Sequence, residues 1–267
     1  MTVQGSEEFE SAQKSRSNTF LNFSFFKVDS KWRWLNEIGK EEAAREFASL
    51  IEVANTKMKV RTYSTLGLRE DADFMLWMIS DSVEKMQILA SKIYSTVLGK
   101  YIEATYVYLS AARQSVYSKP ANVASGETPK HDGGTATSTE YTVYQRNKEG
   151  TIVPGFMTDL PPLKYAIVYP FVKSREWYLL PFGERRKMME EHIQVGRQFP
   201  QVRLNTSYSF GLDDQDFMLA FETEDLMAFQ ELLMRLRETQ VSRFVITDTP
   251  MIVCVYKGVE EIIKSLG

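Results

Sequence analysis

The chain has 267 residues, of which 43% are hydrophobic, and a formal net charge of −3. That length suits one large domain or two small ones, and the balanced charge gives no general argument for nucleic acid or an anionic membrane as partner. A single cysteine, Cys254, excludes a disulfide framework or a cysteine metal cluster within one chain, and no run of about 20 apolar residues marks a membrane span.

Residues 1–17 are polar and lack an apolar signal-peptide core, which predicts a disordered tail on a cytoplasmic protein. TFLNFSFFKV (19–28) is aromatic-rich and suits a buried strand. The stretch 30–55 opens on a serine and spaces Trp34, Ile38, Ala43, Phe47 and Ile51 as one face of a helix. Strands are predicted at 58–66 and 73–80 around Gly67, a helix over 82–101 and a strand over 102–112. The order is βαββαβ, which assigns 18–112 to an N-terminal ferredoxin-like half. Residues 113–160 are rich in Ser, Thr, Gly and Pro and read as a long linker or excursion, with Tyr141 and Tyr144 as possible polar contacts.

The order then repeats over 161–267. A strand is predicted at 163–173, then a helix over 174–199 interrupted near Pro181-Phe182-Gly183. Strands at 201–210 and 216–223 flank Gly211, a helix covers 224–240, and MIVCVYK (251–257) reads as a buried strand with Cys254 in a packing role, before a short helix. YSTLGLREDADFML, from Tyr63, and YSFGLDDQDFML, from Tyr208, occupy the same hairpin in the two units. Two such α+β repeats in one chain predict a dimeric α+β barrel. The acids of both hairpins (Glu70, Asp71, Asp73; Asp213, Asp214, Asp216) read as solvated or capping turn residues.

Of the two histidines, His131 lies in the linker and reads as solvated, whereas His192 sits late in a helix whose counterpart in the first repeat has no histidine. A histidine without His or Cys partners does not make an ordinary zinc site, which needs three or four protein ligands. It suffices as the one protein ligand of an iron porphyrin, whose ring supplies four donors.

YAIVYPFVKSREWYLLPFGERRKMMEEH followed by GLDDQDFMLAFETEDLMAFQELLMRLRE resembles the chlorite dismutase family, which includes the coproheme decarboxylases. The resemblance is strongest over about 163–257 and weaker over the first repeat. It implies a C-terminal half that binds heme b or iron coproporphyrin III, in a homopentamer or other homo-oligomer. It also implies a heme-dependent oxidoreductase, with peroxide-driven oxidative decarboxylation of iron coproporphyrin to heme b as the first reading. Chlorite decomposition to chloride and dioxygen is the alternative, and a heme-binding protein of the same fold without turnover is a third. By the same resemblance His192 is the proximal iron ligand, Lys173 lies near the proximal side or the propionates, and Trp177 packs on the porphyrin. Tyr178, following Trp177 as in many decarboxylases, would carry the radical that oxidises the propionates. Counting without gaps from Val202 to Gly211 puts Leu204 above the iron, where chlorite dismutases have Arg and many decarboxylases Gln. Arg203 takes that place only if the register slips by one residue. Glu238 and Gln240 are the expected acceptors for His192.

Overall fold

The computed structural model describes residues 19–113, 115–117, 144–146, 152–154 and 160–267. The predicted tail, His131 and Tyr141 lie outside the described residues. The chain divides into two compact units, one of residues 1–112 and 257–267, the other of residues 113–256.

The first unit is built on β1 (Phe20–Val28), α1 (Glu37–Asn55), β2 (Lys59–Ser64), β3 (Phe74–Ser80), α2 (Val83–Ser95) and β4 (Ile102–Ala111). Its antiparallel order is β2-β3-β1-β4, the ferredoxin-like arrangement expected. Gly67 turns the β2–β3 hairpin at φ +75°, a conformation open to glycine at no steric cost. Phe47, Ile51, Leu89 and Ile93 from the two helices pack on Phe26, Phe74, Leu76 and Met78 from the sheet. Each such side chain contributes roughly 1.5–3 kcal/mol on burial.

The helix predicted from residue 30 divides in two. Ser30–Trp34 is a 3-10 turn capped by Asp29 rather than by Ser30, and α1 starts at Glu37 behind an Asn36 cap. The break shifts the helical phase. Ala43, Phe47 and Ile51 are buried as predicted, but Trp34 is 88% and Ile38 70% exposed, and Trp32 is the tryptophan that enters the core.

The second unit repeats the plan. It comprises β5 (Tyr144–Arg146), β6 (Ile152–Pro154), β7 (Tyr165–Lys173), α3 (Arg175–Leu179), α4 (Phe182–Gly196), β8 (Val202–Tyr208), β9 (Phe217–Thr223), α5 (Leu226–Arg237), β10 (Val245–Thr247) and β11 (Ile252–Tyr256). Strand β7 pairs with β9, which pairs with β8. The other edge of β7 is shared between β11, opposite Tyr165–Val168, and the short β10, opposite Val172 and Lys173. The fourth strand is thus split, and β10 was not foreseen from the sequence. The short strands β5 and β6 pair with each other within the excursion. Pro181 interrupts the long predicted helix: Leu180 before it is extended, and α4 resumes at Phe182. Cys254 is fully buried in β11, as its apolar setting predicts.

The final helix α6 (Val259–Ser265) does not pack in the second unit, to which the sequence reading assigned all of 161–267. Ile262, Ile263 and Leu266 are buried in the core of the first unit, against α1.

Candidate functional site

The second unit differs from the first in how its first long helix meets the sheet. Helix α1 buries Ala43, Ala44, Phe47, Ala48, Ile51 and Ala54, whereas α4 buries no residue fully. The main neighbours of α4 are α5 and the 3-10 turn Gln240–Phe244. Its Met188, Met189, His192, Ile193, Val195 and Gly196 are half-buried.

The sheet shows the complementary feature. In β8, Leu204, Thr206 and Tyr208 are half-buried, while Arg203, Asn205 and Ser207 between them are buried. Leu204 belongs to the cluster of Phe221, Phe229 and Leu232, so its face is the one toward the helices. Strand residues alternate between faces, so along β8 the helix side is the less filled one. In the first unit the corresponding strand β2 is half-buried only at Lys59 and buried from Val60 to Ser64. An under-filled apolar face beneath a histidine-bearing helix fits a flat apolar ligand with one axial donor.

His192 is the histidine of that helix. Its Nδ1 lies 3.3 Å from Thr239 Oγ1, and Thr239 donates its own hydroxyl hydrogen to the Leu236 carbonyl at 2.7 Å. Oγ1 therefore accepts, His192 carries its proton on Nδ1, and Nε2 keeps a lone pair. Burial, reinforced by the Lys173 charge, pushes the imidazole down to about 4, so the ring is neutral at physiological pH. The acceptor is Thr239, which lies between the two residues expected for the role, Glu238 and Gln240. Glu238 instead ends α5, the Gln240 main-chain N–H donates to Glu191, and the Gln240 side-chain oxygen accepts from Arg243.

Lys173 closes β7 with its ammonium 3.6 Å from the centre of the Trp177 ring and 3.8 Å from Met189 Sδ on α4. Burial and Arg185 push it down to about 7, against the opposing pull of Asp216. Trp177 is buried and packs on Phe244 at 5.4 Å and Tyr117 at 6.3 Å between ring centres. The geometry thus gathers His192, Lys173, Trp177 and Leu204 into one unit.

Tyr178 borders this group from the hairpin end. Its phenol donates to Asp216 Oδ2 at 2.7 Å, its ring meets Phe210 edge-on, and burial with Asp216 raises its pKa. A second tyrosine, overlooked in the sequence, is Tyr169. It is stacked on Phe221 in the same cluster as Leu204. The alternation Ile167, Tyr169, Phe171, Lys173 along β7 is the signal that places it on that face.

Arg203 is the correction. Pairing of β8 with β9 runs without a shift from Val202 opposite Thr223 to Tyr208 opposite Phe217, so no slip exchanges Arg203 for Leu204. Arg203 points to the face opposite Leu204, where Nη1 donates to the Pro161 carbonyl at 3.1 Å and meets Glu222 Oε2 at 3.4 Å. Both residues are buried, and Asn205 Nδ2 donates to the same carboxylate at 3.0 Å. Arg203 is thus a buried ion-pair partner of Glu222 on the face away from Leu204.

The hairpin acids divide by role. Asp214 and Glu70 are exposed as expected, whereas Asp73 and Asp216 accept main-chain bonds, and Asp71 holds Arg69 and the Tyr106 hydroxyl. Among the described residues no group of three or more His, Cys, Asp or Glu could hold a metal ion, and no helix is long and apolar enough to cross a membrane.

Comparison with known proteins agrees with this architecture. A sequence model of the chlorite dismutase family matches residues 40–257. The chain is 31% identical over 252 residues to the coproheme decarboxylase of Mycolicibacterium smegmatis, covering 92% of this chain and 94% of that protein. Among solved structures it resembles a mutant chlorite dismutase from Candidatus Nitrospira defluvii, with a TM-score of 0.77 at 24% identity over 94% of this chain and 97% of that one. The chlorite dismutase of the same organism in complex with imidazole gives a TM-score of 0.76 at 23% identity, over 96% and 98% of the two chains. These structural likenesses speak to the fold. Together with the family match and the 31% identical relative, they establish that the chain belongs to the chlorite dismutase family.

Proposed function

We propose that this protein is a heme-dependent oxidoreductase that decarboxylates iron coproporphyrin to heme b at the expense of hydrogen peroxide. The relative in M. smegmatis is named a coproheme decarboxylase. The observation that carries the reading is the neutral His192 imidazole, held by Thr239 with Nε2 unprotonated, on the helix above an under-filled sheet face. When bound, iron coproporphyrin supplies the redox-active iron and the propionates that lose carbon dioxide.

The residues present fit that substrate. His192 would hold the iron, Leu204 would offer an apolar surface to the ring, Trp177 would pack against it and Lys173 would receive a propionate. By the family resemblance, a phenol beside the ring would pass electrons one at a time. Tyr178 is the one the family resemblance singles out, and Tyr169 is the one the sheet face singles out. Position favours Tyr169, because the Tyr178 phenol is already engaged by Asp216 at the hairpin edge. Chlorite decomposition gains from a cation above the iron, and Arg203 is on the other face of β8. That difference ranks the decarboxylase above the chlorite reading. A homo-oligomer completes the proposal, supported by the exposed Trp34 and Ile38 side chains of the first unit.

The test begins with the Soret band of the purified protein mixed with heme or with iron coproporphyrin. Wild type gives a band that His192→Ala loses. Peroxide added to the coproporphyrin complex then yields products lighter by carbon dioxide and two hydrogens per propionate converted. Tyr169→Phe and Tyr178→Phe, each checked for retained binding, identify the relay as the variant that stops the mass change. No band with either porphyrin, or rapid oxygen evolution from chlorite without decarboxylation, defeats the proposal. Binding without any mass change leaves the non-catalytic reading.

A further inference from the structure

In each repeat one aspartate fastens the returning strand to the end of the first strand. In the first unit, Asp73 N donates to the Phe26 carbonyl at 2.8 Å, and Asp73 Oδ2 accepts from Val28 N at 2.8 Å. Its other oxygen, Oδ1, takes the Lys27 ammonium at 3.0 Å. In the second unit, Asp216 N donates to the Phe171 carbonyl at 3.2 Å, and Asp216 Oδ2 accepts from Lys173 N at 2.8 Å. These matched bonds align Phe26 with Phe171, Lys27 with Val172 and Val28 with Lys173.

The lysine therefore stands one residue later in the second repeat. Successive side chains on a strand point to opposite faces, so this displacement takes the ammonium away from the aspartate. In the second unit it lies over Trp177 instead, 3.6 Å from the ring centre. The Asp216 carboxylate then accepts the Tyr178 phenol, at 2.7 Å and on the same Oδ2 that holds Lys173 N. One oxygen thus grips both ends of the segment 173–178, and Trp177 lies between those ends.

We propose that Asp216 is a positioning residue of the porphyrin site, which closes the 173–178 corner so that Lys173 and Trp177 are held face to face. The functional part rests on the porphyrin reading given above; the clamp itself stands on its own geometry. Both bonds end on a single oxygen, so asparagine can supply the same acceptor through its amide oxygen, whereas alanine cannot.

The experiment compares Asp216→Ala, Asp216→Asn and Tyr178→Phe in the full chain, by crystal structures without porphyrin and by Soret titration with iron coproporphyrin. Asp216→Ala should move Lys173 off the Trp177 ring and weaken binding by about tenfold or more, since small misplacements of positioning groups are costly. Asp216→Asn should restore both, and Tyr178→Phe should fall between. An Asp216→Ala protein with Lys173 in place and wild-type affinity overturns the proposal, as does an Asp216→Asn protein no better than alanine. Should the alanine variant fail to fold, wild-type geometry and affinity in Tyr178→Phe overturn it equally. If the wild type binds no porphyrin, the site reading fails, while the variant structures still decide whether the clamp holds the corner.

Discussion

His192 shows how one side chain is prepared by its neighbours. Its histidine type was conspicuous in the sequence because the first repeat has none at the matching place. Thr239 was not, because it lies 47 positions away and one helical residue either side offered a more obvious acceptor. Which of three adjacent polar residues meets the ring depends on where α5 ends and the following turn begins. Thr239→Val removes the acceptor and should weaken porphyrin affinity about 10–100-fold, the usual cost of losing a partner of a metal-bound histidine; Soret titration measures it. The unloaded protein also has a pH signature. Folded His192 stays neutral down to about pH 4, while an ordinary histidine protonates near 6.5. Between those values the unfolded chain binds the extra proton, so stability falls as pH falls through that window. Denaturation of His192→Gln over the same range should show a shallower loss; an unchanged slope would place the proton elsewhere.

At the scale of elements, the β8 register decides which faces Leu204 and Arg203 take. Counting along the sequence gave Leu204, and a slip of one residue would have given Arg203. The slip does not occur because Arg203 is fixed opposite Glu222 on the far face while Leu204 joins Phe221 on the near one. Glu222→Ala strands the Arg203 charge in a buried setting and should cost about 3–5 kcal/mol in denaturant unfolding. A paired apolar replacement of both residues should recover most of that loss, because it removes both desolvated charges together. The helices carry a parallel lesson. Periodicity found α1 but ran its apolar face through Trp34 and Ile38, which stand before and at the start of the helix on exposed positions. In α4 only the structure shows that, among the described residues, nothing covers its side chains fully.

For the whole molecule, the internal duplication was readable from two hairpins whose glycines, Gly67 and Gly211, both adopt positive φ. The assignment of the last residues was not. Helix α6 follows β11 directly in sequence but buries Ile262 and Ile263 in the core of the first unit. Ile263→Ala should therefore destabilise that unit by about 2–5 kcal/mol, read by thermal or denaturant unfolding, and leave the Soret response of the second unit intact. A loss of porphyrin binding with unchanged stability would contradict this division of labour. The sequence by itself determined the α+β class, the two βαββαβ repeats, the glycine turns and the singular His192. Periodicity and turn chemistry are local properties that each segment carries alone. The tertiary structure alone decided the acceptor of His192, the face of Arg203, the place of Tyr169, the clamp at Asp216 and the unit to which α6 belongs. Each of these depends on strand register or on residues far apart in the chain, and their partners are fixed only when the sheets and helices pack.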